Sequence, residues 1–203
     1  MGTLHAQSAQ SQRFQKRYTS SLLNRWDRVF YAHPPALIES ELWTQMPPHL
    51  ATLRQNYARH LKTVSQGIKS LWNDARDPIR LHGDLQGPNI ICGASHWTLL
   101  DFDDLSWGFP IQDIAIALLP LREQPQFTHC LEHFKRGYQQ TMSWPTAHEK
   151  YLDILMAGRF LALANALLYD QTLSAQETLQ HWVRYGQKMQ ALTNAPLPDG
   201  PSL

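Results

Sequence analysis

The stretch His82-Gly83-Asp84-Leu85-Gln86-Gly87-Pro88-Asn89, followed by Leu100-Asp101-Phe102-Asp103-Asp104, decides how this chain reads. Asp84 and Asn89 stand five residues apart across a Gly-Pro turn, a spacing that lets both face one cavity, and Asp101 at a strand end can face it too. Carboxylate and amide oxygens are hard ligands suited to magnesium. Phosphoryl transfer asks for little more: a carboxylate that orients and deprotonates the attacking hydroxyl, and oxygen ligands for metal ions that neutralise charge on the phosphates. A D-L-x-x-x-N string alone occurs in many folds, where Asp and Asn serve as turn residues, so the weight rests on the joint pattern.

The loop sits in a patch of short strands. Ile79-Arg80-Leu81, Asn89-Ile90-Ile91-Cys92 and Trp97-Thr98-Leu99-Leu100 read as strands, the second and third as a hairpin turning over Gly93-Ala94-Ser95-His96. Helical periodicity surrounds them. Leu50, Leu53, Tyr57, Leu61, Val64, Ile68 and Leu71 recur at steps of three and four, which predicts a helix over residues 50–72 with Pro47 and Pro48 at its start. Phe127, Cys130, Leu131, Phe134 and Tyr138 mark a shorter helix, and Leu152, Leu155, Met156, Phe160, Leu163, Leu167 and Leu168 a long one. Ser174 and Glu177 form a capping box ahead of a helix that carries Trp182, Val183 and Met189 and ends before Pro196. Residues 196–203, rich in Pro and Gly, are expected to be a disordered tail. The fold class expected is mainly α with a small β-hairpin unit (α+β), as one body over residues 1–195.

Composition narrows the partners. The 203 residues carry a formal net charge of +1, and no run of Lys or Arg offers a local field to nucleic acid or an anionic membrane. Cys92 and Cys130 are too few for a disulfide framework, and a reducing cytoplasm fits them best. The first residues lack the basic and apolar regions of a signal peptide, and the longest apolar stretch falls short of the roughly 20 residues that span a bilayer. Neither export nor a membrane is expected.

With the loop, the hairpin and the Asp-Phe-Asp-Asp segment in this order, the sequence resembles the aminoglycoside phosphotransferase and choline kinase family, whose pattern is H-[GA]-D-x-H-x-x-N and then D-[FWL]-[DE]. Phe102 to Gly108 leading into Asp113-Ile114-Ala115 is similar to that family's F-D-D-x-x-x-G and D-[LI]-A segments, and Gly2-Thr3-Leu4-His5 to its G-x-L-H helix. The resemblance implies a protein-kinase-like C-terminal lobe. It implies Asp84 as catalytic base, Asn89 and Asp101 as magnesium ligands, Gln86 and Asn89 on the nucleotide side, His82 as a support of loop 82–89, and Asp113 as its buttress from below. Within the metal segment 101–104, Asp103 and Asp104 divide between substrate binding or ligand support and plain solvent exposure, and the residues do not choose between them. Asp113 reads equally as a helix cap.

Two departures stand out. Gln86 replaces the family's usual His and carries no charge. Before Gly83 the only glycines are Gly2 and Gly67, so there is no Gly-rich phosphate loop and no Val-Ala-x-Lys strand; the N-terminal nucleotide-binding lobe is expected to be absent from this chain. The function expected is ATP-dependent transfer to a small-molecule hydroxyl, completed by an N-lobe from a longer chain or a separately encoded partner, between which the sequence does not choose, the cofactors being ATP and Mg2+. The alternative is an inactive, pseudokinase-like binding module whose exposed apolar seam favours an N-lobe partner or self-association. The absence of an Ala-Pro-Glu segment ranks protein substrates lower.

Three further features have plainer readings. His129-Cys130-Leu131-Glu132-His133 matches H-x-x-E-H but lacks a recognisable third zinc ligand, so two solvated histidines are expected. Cys92 and Cys130 are read as small core residues, and His96 as an exposed turn residue. Trp26, Phe30, Tyr31, Trp43 and Trp72 are read as ordinary core ahead of an acceptor pocket.

Overall fold

The computed structural model describes residues 1–10, 24–25, 34–48, 52–94 and 96–193, with the backbone alone at 24–25 and 34–35. Leu50, Trp26, Phe30, Tyr31 and the tail 196–203 lie outside the described residues. The chain forms two compact units, Met1–Trp26 with Ala75–Leu152, and Asp27–Asp74 with Asp153–Leu203.

In the first unit a three-stranded sheet is centred on β5 (Ser106–Gly108), which pairs parallel with β1 (Asn24–Arg25) and antiparallel with β2 (Ile79–Leu81). Ile79 and Leu81 are buried while Arg80 between them is exposed, the alternation of a half-buried strand. Helix α1 (Gly2–Gln10) lies against β2, where Arg80 N–H donates to Ser8 Oγ over 2.7 Å. Helix α4 (Pro110–Leu118) also packs on β2, through a start with Pro in its first turn and the Gln112 side-chain oxygen accepting the Phe109 N–H at 2.6 Å. Gly108 makes that fit possible, since a Cβ there would lie 2.3 Å from Gln112 Oε1.

The predicted hairpin is present as β3 (Ile90–Cys92) and β4 (Trp97–Leu99), with Cys92 opposite Trp97. Cys92 is exposed, against its reading as core. It ends a two-stranded ribbon beside the turn, where its cross-strand neighbour Trp97 is 72% exposed. Period-2 patterning names the two faces of a ribbon but not which one is covered. Cys130, half-buried, lies on α5 (Phe127–Gln139), whose one fully buried side chain is Tyr138.

The second unit is helical: α2 (Pro34–Glu39), a 3-10 turn Glu41–Gln45, α3 (Leu53–Asp74), α6 (Leu152–Ala166, from Asp153 onward) and α7 (Ala175–Thr193). The long helix starts at Leu53, with Thr52 O accepting the Asn56 N–H at 3.0 Å, so Pro47 and Pro48 precede it and are not in its first turn. Helix α6 stops before Leu167 and Leu168, which follow in a turn. Ser174 and Glu177 cap α7 reciprocally: Ser174 N–H donates to Glu177 Oε2 (2.8 Å) and Glu177 N–H to Ser174 Oγ (3.3 Å).

Aromatic rings form the centre of this unit. Trp43 and Trp182 approach to 4.5 Å between centroids, with Tyr57 5.4 Å from Trp43. Each polar atom of the cluster finds a backbone carbonyl: Trp43 Nε1 donates to Leu37 O (2.7 Å), Tyr57 Oη to Trp182 O (2.8 Å) and Trp182 Nε1 to Ala164 O (2.9 Å). Trp43 is therefore core, as expected; Trp72 is half-buried. Gly186 lets α7 sit close to α3, because a Cβ there would meet Leu53 Cδ1 at 2.7 Å. Among the described residues, no helix is long and apolar enough to cross a membrane.

Trp182→Ala removes the most deeply buried indole of the cluster and strands the carbonyl of Ala164. A loss of about 3–5 kcal/mol is expected, read from the denaturant midpoint of unfolding.

Candidate active site

The catalytic-loop candidate runs from the end of β2 to the start of β3, and its shape is set from α4. The Asp113 carboxylate, fully buried, accepts the backbone N–H of His82 through Oδ2 (2.8 Å) and that of Gly83 through Oδ1 (2.9 Å). Asp113 lies inside the first turn of α4, three residues beyond Pro110, and is not its cap. Its side chain serves the loop, while Gln112 serves the helix end.

Gly83 has φ 84, and a Cβ on it would come within 2.1 Å of the Asp104 carbonyl oxygen. Only glycine fits there, for two reasons: the left-handed backbone, which a side chain would strain, and the close approach of the 101–104 segment. Sequence reading missed this role. A glycine between His and Asp was its only signal.

His82 ties the two halves of the site together. With its proton on Nε2 the ring donates to Leu100 O (2.9 Å) and accepts the Asp84 N–H at Nδ1 (3.4 Å). Its face meets Phe102 at 4.6 Å between centroids. Leu100 N–H donates in turn to Asn89 O (2.9 Å), so Leu100 is held on both sides. The next residue, Asp101, takes φ 57, a left-handed conformation that Asp tolerates better than most residues. Asp101, Asp103 and Asp104 are all exposed.

Asp84 is 9% exposed, and its Oδ2 accepts two amide protons, from Gln86 Nε2 (2.8 Å) and Asn89 Nδ2 (2.9 Å). Asn89 Nδ2 also donates to the Asp84 carbonyl (2.9 Å). Its NH2 group is thus engaged inside the loop, and its side-chain oxygen is the atom left for a cation. The short 3-10 turn Gly87–Asn89, with Pro88 in it, brings Asn89 back over Asp84. The structure therefore assembles His82, Asp84, Gln86, Asn89 and Asp113 in one hydrogen-bonded loop, with Asp101 adjacent to the Leu100–Asn89 link. Gln86 points its amide at Asp84.

The H-x-x-E-H pair lies elsewhere in the first unit. His129 and His133 are exposed, and Arg136 donates to His133 Nε2 over 2.9 Å. That cation holds the His133 pKa below its ordinary value, opposing a metal at the same nitrogen. Among the described residues no three His, Cys, Asp or Glu side chains come together as a metal-holding group.

Comparison with known proteins places the chain in a family. The profile of the phosphotransferase enzyme family matches residues 2–151, and the chain belongs to that family. No curated protein matches it. Among solved structures, it is similar to an amicoumacin kinase, hAmiN, in complex with AMP-PNP, Ca2+ and Ami (TM-score 0.57, 18% identity, 97% of this chain and 59% of that one). It is similar also to the choline kinase LicA from Streptococcus pneumoniae (0.56, 16%, 94% and 64%) and to a microcompartment-associated aminopropanol kinase (0.57, 17%, 93% and 59%). At these identities the likeness is one of fold, mainly helical with small sheets, as in a protein-kinase-like C-terminal lobe. The chain spans about three fifths of the length of these solved structures.

Gly83→Ala is expected to lower stability by about 2–4 kcal/mol, from backbone strain and the clash with Asp104. Asp101→Gly, also at positive φ but exposed, is expected to stay within about 1 kcal/mol of the parent protein. Unfolding curves of the two variants check both.

Proposed function

We propose that the chain provides the acceptor-activating and metal-binding half of an ATP-dependent phosphotransferase acting on a hydroxyl of a small molecule. The observation that carries this reading is the Asp84 carboxylate, held at Oδ2 by Gln86 and Asn89 on a loop pinned to the Asp101 segment. Within it, Asp84 orients the attacking hydroxyl and takes its proton as the bond from that oxygen to the γ-phosphorus of ATP forms and the bond from the phosphorus to the bridging oxygen breaks, with ADP as the leaving group. Asn89, through its side-chain oxygen, and Asp101, through its carboxylate, are the residues that would hold Mg2+, which when bound neutralises charge on the phosphate oxygens. One amide and one carboxylate suit that ion, which usually keeps water and phosphate oxygens as its other ligands. Gln86 and Asn89 border the nucleotide side; an uncharged Gln86 gives phosphate less support than the family's His.

The reading needs a nucleotide-binding N-lobe, from an added segment or a partner chain. Ile91 (54% exposed) and Trp97 project from opposite faces of the hairpin, and Leu100 and Phe102 lie exposed beside the loop; such a lobe would cover part of this apolar surface. The relatives suggest the acceptor class by analogy alone: amicoumacin, choline and aminopropanol are all small molecules.

Calorimetry of ATP with Mg2+ on the whole chain tests this, with Asp101→Asn and Asp84→Asn as variants. Binding in the parent, lost in Asp101→Asn and kept in Asp84→Asn, is the expected result. Once an acceptor is found, turnover should fall about 100-fold or more in Asp84→Asn. Absence of binding at millimolar nucleotide would sink autonomous catalysis and leave the binding-module reading in its place.

A further inference from the structure

The buried histidines of the described residues are not alike. His5 and His82 have both ring nitrogens met, whereas His60, 2% exposed, has only one. His60 lies on the buried stripe of α3 between Tyr57 and Val64, where the sequence pattern puts Leu61; Leu61 itself is only half-buried. Its Nδ1 is 3.1 Å from the hydroxyl oxygen of Thr193, the last residue of α7. The proton of that hydroxyl is committed, since Thr193 Oγ1 donates to Met189 O over 2.9 Å. Nδ1 therefore carries a hydrogen and donates to Thr193, and Nε2 is a bare acceptor with no hydrogen-bond partner among the described residues.

A proton on Nε2 makes a second N–H there, without an acceptor, and puts a charge out of water. Arg59, next to His60 on α3, is the charged group that acts on the ring, and it opposes the proton as well. From α2, α6 and α7 no titratable or charged side chain of the described residues acts on it; Lys188 of α7 lies over the ring of Phe160 instead. The C-terminal end of α7 favours a cation, but the ring meets that end through a hydroxyl. Burial outweighs it: the His60 pKa lies below its ordinary value, from burial first and Arg59 second.

We propose that His60 is an acid-sensitive latch between α3 and the last turn of α7: neutral, it holds Thr193, and taking up a proton at Nε2 releases that turn. The open form takes the proton near the ordinary histidine value of about 6.5, the closed form only below it. The stability that the latch lends is whole above that value and is lost as the pH falls through the lowered value of the closed form. The turn that opens carries Met189 and Leu192, both buried, so its release brings apolar surface to water. Whether the chain transfers phosphate has no bearing on this device.

The test is NMR on the whole chain at about pH 7.5 and about pH 5.5, reading the His60 ring nitrogens and the amide exchange rates, corrected for the intrinsic pH dependence of exchange. The amides of Ala191 and Leu192 are expected to exchange about tenfold faster at the lower pH, while that of Trp182, in the middle of α7, keeps its protection. In His60→Leu, which suits the apolar stripe and cannot titrate, the acceleration should vanish. Absence of acceleration in the parent protein, or the same acceleration in His60→Leu, overturns the proposal. So does an equal acceleration at Trp182 and along β2, which is unfolding of the whole chain, or a His60 ring that gains its proton with no change at Ala191 and Leu192. If His60→Leu does not fold, Arg59→Gln decides, because the exposed Arg59 is removed without touching the contact with Thr193. A smaller acceleration at the same two amides upholds the latch, and an undiminished one overturns it.

Discussion

The site depends on one buried carboxylate. Asp113 is out of water, and its oxygens are satisfied by donors from other elements: the amides of His82 and Gly83 and the ring of His5. Two of those donors belong to the loop, so the helix satisfies its own carboxylate by fixing the loop. Hydrogen bonds to a buried charge are worth about 1.5–3 kcal/mol each, more than typical neutral ones, and that is why a loop with little regular structure can hold a defined shape.

Other constraints follow from this anchor. Directly after the two anchored amides the chain turns left-handed at Gly83, where the missing side chain leaves room for the Asp104 backbone. The ring of His82, with its main chain fixed, reaches Leu100, and Leu100 reaches Asn89. Asp84 and Asp101 are thus held by a short sequence of backbone contacts on a small hairpin, with no extended sheet involved. The polar groups of the loop are arranged on each other, which limits their freedom before any ligand arrives. The helical unit is built on a different principle, burial of aromatic rings whose few polar atoms all find backbone carbonyls.

The motif at 82–89 and 101–104 was legible because its chemistry demands particular residue types at short spacing, and short spacing survives in a linear reading. Helices α3 and α5 were legible for a similar reason, since one apolar stripe forces a period near 3.6, whereas α6 is buried on most of its sides and α7 was marked by its capping box. The hairpin was visible too, but its exposed face was not: Cys92 closes an apolar run with Ile90 and Ile91 as a core residue would, and only the position of the ribbon leaves it in solvent. The start of α3 was misplaced because prolines are accepted both in a first turn and ahead of one.

Sequence by itself determined the family, the mainly helical class with a small strand unit, and which residue types meet in the loop; all of these are written in local pattern. Tertiary structure alone decided what holds that loop. The contact of His5 with Asp113 spans 108 positions, and that of Tyr138 with His5 spans 133. No periodicity or turn rule relates residues so far apart. Whether Asp113 caps its helix or braces the loop was likewise open in the sequence, where both uses look alike. It was settled by where the chain returns, since a buried carboxylate takes whichever donors the fold brings to it.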